Sequence, residues 1–447
     1  GNGDLIMPTN SSSFFREYTN LTEINGLELL DTSSVSNMSN FFRSCSAMTQ
    51  LDISSINTSN VTTINHMFYY CSNLQSINLE NINTSKITSM ENVFGYCSSL
   101  QALDLSGFDT SNVTTIRYMF IGCSSIENLD LSFFDTTKVT RMDQLFNGCK
   151  NLKNLNISSF DTSKVQNFSY FFQNCASLTS IDLSNIDTAS STSLERMFYG
   201  CNKLTTIDVS NFDTSNVTSM YGMFGMCTSL TELDLSNFNT ENVTNMKEMF
   251  FQIKEVKTLD LSSFNLSKVT DMTRLFIYCT NLETLILGEN FDKITGTEMF
   301  ANCGKLTRII VKSDDVLTIT NDININKKAI FYVKTDDIAL DYAKDEDFIS
   351  LFGENNERVK PILEIVGNSI VNIQVETEYV DKGALVANWS DEEEEIYQNL
   401  GYNLVTKIEV KSGDEVSNID TTKKEDYIIT YTLYYTNEND DVTKLMD

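Results

Sequence analysis

Ten cysteines, one histidine and a surplus of carboxylates are the residues of this chain that could do chemistry. The cysteines recur every 26 residues from Cys45 through Cys71 to Cys227, then at Cys279 and Cys303. An even count invites a disulfide framework. Stacked repeats about 4.8 Å apart would bring neighbours within reach. Parallel, in-register side chains do not readily give the disulfide dihedral, however, and the same slot holds Tyr18 and Ile253. A slot that accepts isoleucine is apolar, so buried free thiols are the expectation and disulfides the alternative. Zinc sites need close pairs such as CxxC, and no two cysteines lie nearer than 24 residues. No metal ligand and no cofactor is therefore assigned. His66 stands alone, two residues before Phe68, at a position read as variable and exposed, so no triad can be chosen around it. No glycine-rich phosphate loop, nucleophile elbow or zinc motif occurs in the sequence. No catalytic residue is assigned, and the chain is not expected to be an enzyme.

The elements that place these residues follow from a second ladder. Phe68, Phe94, Phe120, Phe146, Phe172, Phe198, Phe224, Phe250 and Phe276 are 26 residues apart. Phe42 precedes them by 26, Phe15 by a further 27, and Phe300 follows by 24. Self-similarity at this period marks a solenoid or a propeller. In the unit after Cys97, Leu100, Leu103 and Leu105 give an L-x-x-L-x-L pattern whose last three positions alternate as a short strand does. Residues 106–112 are turn-rich. Ile116, Met119, Phe120 and Cys123 then stand three and four apart, which predicts a short helix with Thr114 as N-cap and Gly122, Gly148 and Gly200 at helix exits. One such unit cannot bury enough surface to fold alone, so stacking must supply the stability.

The fold class expected is an α/β leucine-rich-repeat solenoid of short parallel strands plus short helices, about 11–12 coils, followed by a small all-β sandwich. Residues 1–30 read as a degenerate capping repeat, 31–312 as the solenoid, 313–361 as a strand–helix cap and 362–447 as the β domain. In the cap, Ala329–Val333 reads as strand and Ile338–Phe352 as helix. In the β domain, Ile370–Val375, Leu404–Val410 and Tyr427–Tyr435 read as strands.

The unit LDLSGFDTSNVTTIRYMFIGC (103–123) resembles the BspA-like leucine-rich repeat of surface proteins in low-GC bacteria. Its pattern recurs around eleven times, with Ser191 in place of valine and Ile253 in place of cysteine as local departures. Residues 378–384 (EYVDKGA) and 408–432 resemble a bacterial immunoglobulin-like domain often joined to such repeats, with Tyr379–Ala384 and Tyr427–Thr432 as its recognisable strands. The resemblance implies an extracellular, cell-wall-associated protein linked to adhesion to host or microbial partners.

Composition narrows the partner. The formal net charge is −29, and from Ser313 onward 30 acidic residues face 12 basic ones. A polyanion repels phosphate backbones and anionic headgroups, so neither nucleic acid nor direct membrane binding is expected. No apolar run approaches the ~20 residues of a membrane span. The chain starts at glycine with no signal peptide after it, so it is read as mature or as a fragment. Two candidate protein-binding sets stand out. Asp104, Asp130, Asp182, Asp208 and Asp234, with Asp260, point outward from one strand face with Asn78 and Asn156 interleaved. They are satisfied by hydroxyl neighbours and solvent, or they recruit a cation or a basic partner. Tyr70, Tyr96, Tyr118, Tyr170 and Tyr221, with Tyr69, Tyr199, Phe251 and Tyr278, occupy changing positions beside the phenylalanines. They cover neighbouring coils, or they form a recognition surface. The acidic run Asp391–Glu395 reads as a solvated loop, with calcium as the alternative. The sequence leaves open the oligomeric state and the choice between an adhesin-like binding protein and a self-assembling surface protein without a specific ligand.

Overall fold

The computed structural model describes residues 5–288, 293–294, 296–311, 318–319, 325, 330–333, 362–365, 384–387, 402–410, 415–416, 427–436 and 442–446. They fall into two compact units, Gly1–Ser350 and Leu351–Asp447.

The first unit is a parallel, leucine-rich-repeat-like solenoid with one ladder phenylalanine in each of about twelve coils. Successive ladder rings stack from Phe15–Phe42 to Phe276–Phe300, with centroids 5.3 to 6.3 Å apart and planes within 16°. From Phe42 onward each is at most 1% exposed. Burying one such ring contributes about 1.5–3 kcal/mol, and offset stacking adds about 0.5–1.5 kcal/mol. Phe15, in the first coil, has a neighbour on one side only and is half-buried.

The helix expected beside each phenylalanine is not there. Among the described residues the one helical segment is the 3-10 turn Leu27–Leu29. The reason lies in where the amides go. In the Phe120 coil, the N–H groups of Ile116, Tyr118, Phe120 and Gly122 donate to Arg141, Asp143, Leu145 and Asn147 of the next coil. The intervening N–H groups of Met119, Ile121 and Cys123 donate back three residues, to Ile116, Tyr118 and Phe120. A helix needs every amide for its own ladder; here every second amide belongs to the neighbouring coil. The result is a run of tight turns with two left-handed residues per coil, two before and two after the phenylalanine, such as Tyr118 (φ 59°) and Gly122 (φ 70°). Thr114 is consequently no N-cap; its Oγ1 donates to the carbonyl of Thr88 in the preceding coil, at 3.1 Å.

A buried threonine ladder locks the adjoining turns. Thr136 Oγ1 donates to the Asp161 carbonyl at 2.9 Å and accepts the Asp161 amide at 2.7 Å. Thr58, Thr84, Thr110 and Thr162 repeat this double contact on the residue 25 positions on. At position 191, serine replaces the expected valine and stays buried because its hydroxyl donates to the Ser193 carbonyl at 3.1 Å.

The opposite side carries short parallel strands. Gln50–Asp52 pairs with Ser76–Asn78, and Asn128–Asp130 with Asn154–Asn156. Thr258–Leu261, Thr284–Leu287, Arg308–Val311 and Ile330–Val333 form a continuous sheet. The strand read at Ala329–Val333 is thus seen at Ile330–Val333, and the helix read at Ile338–Phe352 lies outside the described residues. Between these blocks the pairing is open. Each of the four steps that sets one ladder aspartate on the next (104 to 130, 182 to 208, 208 to 234 and 234 to 260) lacks it. Like charges about 5 Å apart repel by roughly 0.8 kcal/mol even in water. The two steps from asparagine to aspartate (78 to 104 and 156 to 182) are open as well, so charge is not the whole cause.

The second unit contains antiparallel strands. Ile362–Ile365 pairs with Ala384–Ala387. A four-stranded sheet runs in the order Glu415–Val416, Tyr402–Val410, Tyr427–Thr436, Val442–Met446. The strands read at Leu404–Val410 and Tyr427–Tyr435 fall within it; Ile370–Val375 and the acidic run Asp391–Glu395 lie outside the described residues. A two-sheet sandwich is not shown.

Candidate functional site

The residues with reactive chemistry turn out to be packing residues. All ten cysteines are free and buried. Each thiol donates to the carbonyl of the ladder phenylalanine in the preceding coil, as Cys97 does to Phe68 at 3.1 Å. Burial pushes nine of the ten thiols up, Cys71 to about 12 and Cys97 well above the ordinary range, which keeps these nine protonated at neutral pH. His66 is half-buried rather than exposed. It sits in the left-handed region (φ 60°) with its ring 5.3 Å from that of Tyr69. Burial holds its pKa below the ordinary histidine value. Among the described residues no cluster of three or more histidine, cysteine or carboxylate side chains could hold a metal.

The aspartate set lies on the strand face, and each member closes a turn. Asp104, Asp130, Asp182, Asp208 and Asp234 accept the amide of the serine two residues on, at 2.9–3.0 Å. That serine's amide and hydroxyl hold the carboxyls below their usual range. The amide is the larger cause for Asp104, Asp130 and Asp234, and the hydroxyl for Asp182 and Asp208. The carboxylates are exposed and ionised at neutral pH. Three of them, Asp104, Asp130 and Asp182, line an open groove of about 810 Å³ together with Ile77, Leu103 and Leu155.

The tyrosine set lies on the turn face, where side chains from successive coils touch. Tyr70 and Tyr96 hold the second left-handed position of their coils and stack at 4.6 Å with planes 7° apart. Tyr118 and Tyr170 hold the first left-handed position. Tyr221 comes in from an adjacent register and meets Arg196, whose Nη2 donates to its hydroxyl and whose guanidinium lies 4.5 Å from its ring centre. Burial lifts the phenols of Tyr96, Tyr170 and Tyr221, so they stay neutral hydroxyls in ordinary buffers.

Arginine is the residue type on this face that the spacing argument missed. Arg43 lies over Tyr69 at 5.1 Å, Arg117 over Tyr118 at 4.3 Å, and Arg196 over Tyr199 at 4.8 Å. Arg117 and Arg141 flank the buried Asp143 at 3.0 and 3.3 Å. Arg196 reaches Glu248 at 3.6 Å, and Arg274 reaches Glu298 at 2.7 Å. A sequence signal for them existed. Of eight arginines, Arg16, Arg43, Arg117, Arg141, Arg196 and Arg274 fall within five residues of a ladder phenylalanine, whereas Lys86, Lys138, Lys164 and Lys268 share a position eight residues before it. The turn face is therefore a band of half-buried phenols and guanidinium groups, clamped by ion pairs and by rings from the next coil.

Comparison with solved structures finds 22 similar chains, three of which follow. A leucine-rich repeat protein from Eubacterium ventriosum ATCC 27560 is 14% identical over 76% of this chain and 88% of that one, with a TM-score of 0.29. TLR13, in complex with ssRNA13, is 15% identical over 68% of this chain, with a TM-score of 0.20. This chain spans 50% of its length. The plant peptide hormone receptor RGFR1, in complex with RGF2, is 14% identical over 64% of this chain and 70% of that one, with a TM-score of 0.19. No curated protein matches the chain. The family model described as "Mycoplasma protein of unknown function, DUF285" matches residues 9–128, 124–206 and 192–312, which together run from 9 to 312 of the 447 residues. On that span of repeats, the chain belongs to the DUF285 family.

Proposed function

We propose that the chain is a binding module of a bacterial cell surface, adhesin-like, whose turn face takes a protein partner on a host or microbial cell. The observation that carries this reading is the gathering of tyrosine and arginine on one face, as in Arg196 between Tyr199 and Tyr221. Tyrosine and arginine dominate the energetics of protein interfaces, because each brings large contact area and a polar tip at modest entropic cost. The ladder beneath holds them in place, so little ordering is needed on binding. The antiparallel strands of the second unit serve in this reading as an immunoglobulin-like spacer. The extracellular placement rests on the resemblance to BspA-like surface proteins.

The test is saturable binding of the full chain across a panel of matrix proteins and whole bacterial and host cells. Arg117→Ala and Arg196→Ala should weaken the binding found by about tenfold or more, which is about 1.4 kcal/mol, with circular dichroism unchanged. No binding across the panel, or binding indifferent to both changes, overturns the reading. Self-assembly without a separate ligand is favoured by one observation. Leu5, Ile6, Phe14 and Tyr18 are exposed in the first described coil, and exposed apolar patches mark association surfaces. Light scattering that shows a strict monomer at high concentration argues against it.

A further inference from the structure

We infer that the strand-face groove is a second site, independent of the turn face, for an extended basic peptide segment laid along the solenoid axis with lysine or arginine at alternate positions.

Three observations converge on this groove. The first is its floor. Along this register Leu51, Leu129, Leu233, Leu259 and Leu285 are at most 8% exposed. Ile77, Leu103, Leu155 and Ile181 are half-exposed, and all four line the groove. The second is the backbone. Ala102–Asp104 forms no strand pairing with either neighbouring coil, so the groove floor is not a continuous sheet there. The third is charge. Asp104, Asp130 and Asp182 stand on the rim, and the one cation in the lining, Lys153, is held by Glu127 at 2.9 Å. The apolar floor selects a chain with apolar side chains, and the rim selects positive ones.

The spacing fixes the form of the visitor. Coils repeat at 5.3 to 6.3 Å, measured along the phenylalanine spine. Side chains on one face of an extended chain repeat about every 6.6 Å. The two periods agree over two or three coils and then drift apart, so the site is short and centres on Asp104 and Asp130. A polyphosphate is excluded by the carboxylates themselves.

The natural segment being unknown, the probe is a fluorescein-labelled eight-residue peptide alternating lysine and valine, read by anisotropy with the full chain. Its comparators are a glutamate–valine alternator and a peptide of the same composition with the lysines in one block. Asp104→Asn and Asp130→Asn are sound variants, because Asn78 and Asn156 already occupy this register and close the same turn through Oδ1. The alternating lysine peptide should bind, the double asparagine variant should weaken it by about tenfold or more, and Arg196→Ala on the turn face should leave it unchanged. The idea is overturned if the lysine alternator fails to bind, if the blocked peptide binds equally well, if the double variant retains full affinity, or if Arg196→Ala weakens it as much as the double variant does.

Discussion

The ring of Tyr199 lies against Gly225, a residue of the next coil: a Cβ added to Gly225 would stand 2.6 Å from Cδ2 of that ring. Tyr69 stands in the same relation to Gly95, and Tyr96 to Gly122. The missing side chain of one coil is the seat for the aromatic of the coil before it. Covering a neighbour and forming a recognition surface are therefore not alternatives here, because the seat is what holds the phenol rigid.

Gly225→Ala should displace the Tyr199 ring and lower stability by about 1–3 kcal/mol, the usual cost of overpacking. Urea unfolding measures it. The double variant with Tyr199→Ala should recover most of the loss, and an additive loss would contradict the contact.

Thr136→Val leaves both the amide and the carbonyl of Asp161 without their partner. Orphaning two buried groups costs about 2–4 kcal/mol. Thr136→Ser keeps the hydroxyl and should cost much less. A loss in Thr136→Ser as large as that in Thr136→Val would contradict the primacy of the hydroxyl.

The thiol ladder makes the fold sensitive to alkali. Burial raises Cys45 to about 11 and Cys71, Cys149 and Cys201 to about 12 from an ordinary 9.0. A raised pKa contributes stability that is complete below the unfolded value of 9.0 and is lost as pH climbs toward the folded one. Between 9.0 and its folded value each of these four thiols costs about 1.4 kcal/mol per pH unit. The melting temperature should hold to about pH 9 and then fall steeply, less so in Cys149→Ala. In the folded protein the thiols should resist iodoacetamide.

Acid acts with the opposite sign. Serine and threonine partners hold Asp109, Asp135 and Asp161 below the ordinary 3.8. Their stabilisation is present above 3.8 and lost as pH falls through the lower folded values. Urea midpoints should be flat through mildly acidic pH and drop only below about pH 4.

The repeat made the spine legible. A 26-residue step in phenylalanine can mean little other than stacked rings, and Ile253 in the cysteine slot already said that the slot was apolar. That inference missed the bond from each thiol to a phenylalanine carbonyl, which isoleucine cannot make. The helix was misread because Ile116, Met119, Phe120 and Cys123 face the core at three- and four-residue spacing, which consecutive turns produce as readily as a helix does. What distinguishes them is the destination of alternate amides, and no side-chain pattern records that. The arginines escaped because they approach the turn face from different registers, Arg43 after its phenylalanine and Arg117 and Arg196 before theirs. The open strand steps depend on the distance between coils, which the sequence of one coil does not contain.

The claim that the turn face is the recognition surface is decided by comparing two variants against one captured partner, with the full chain and unchanged circular dichroism. Arg117→Ala with Arg196→Ala should weaken binding by about tenfold or more, while Asp104→Asn with Asp130→Asn should change it less than about twofold. Loss of binding in the aspartate pair with the arginine pair unaffected would contradict it.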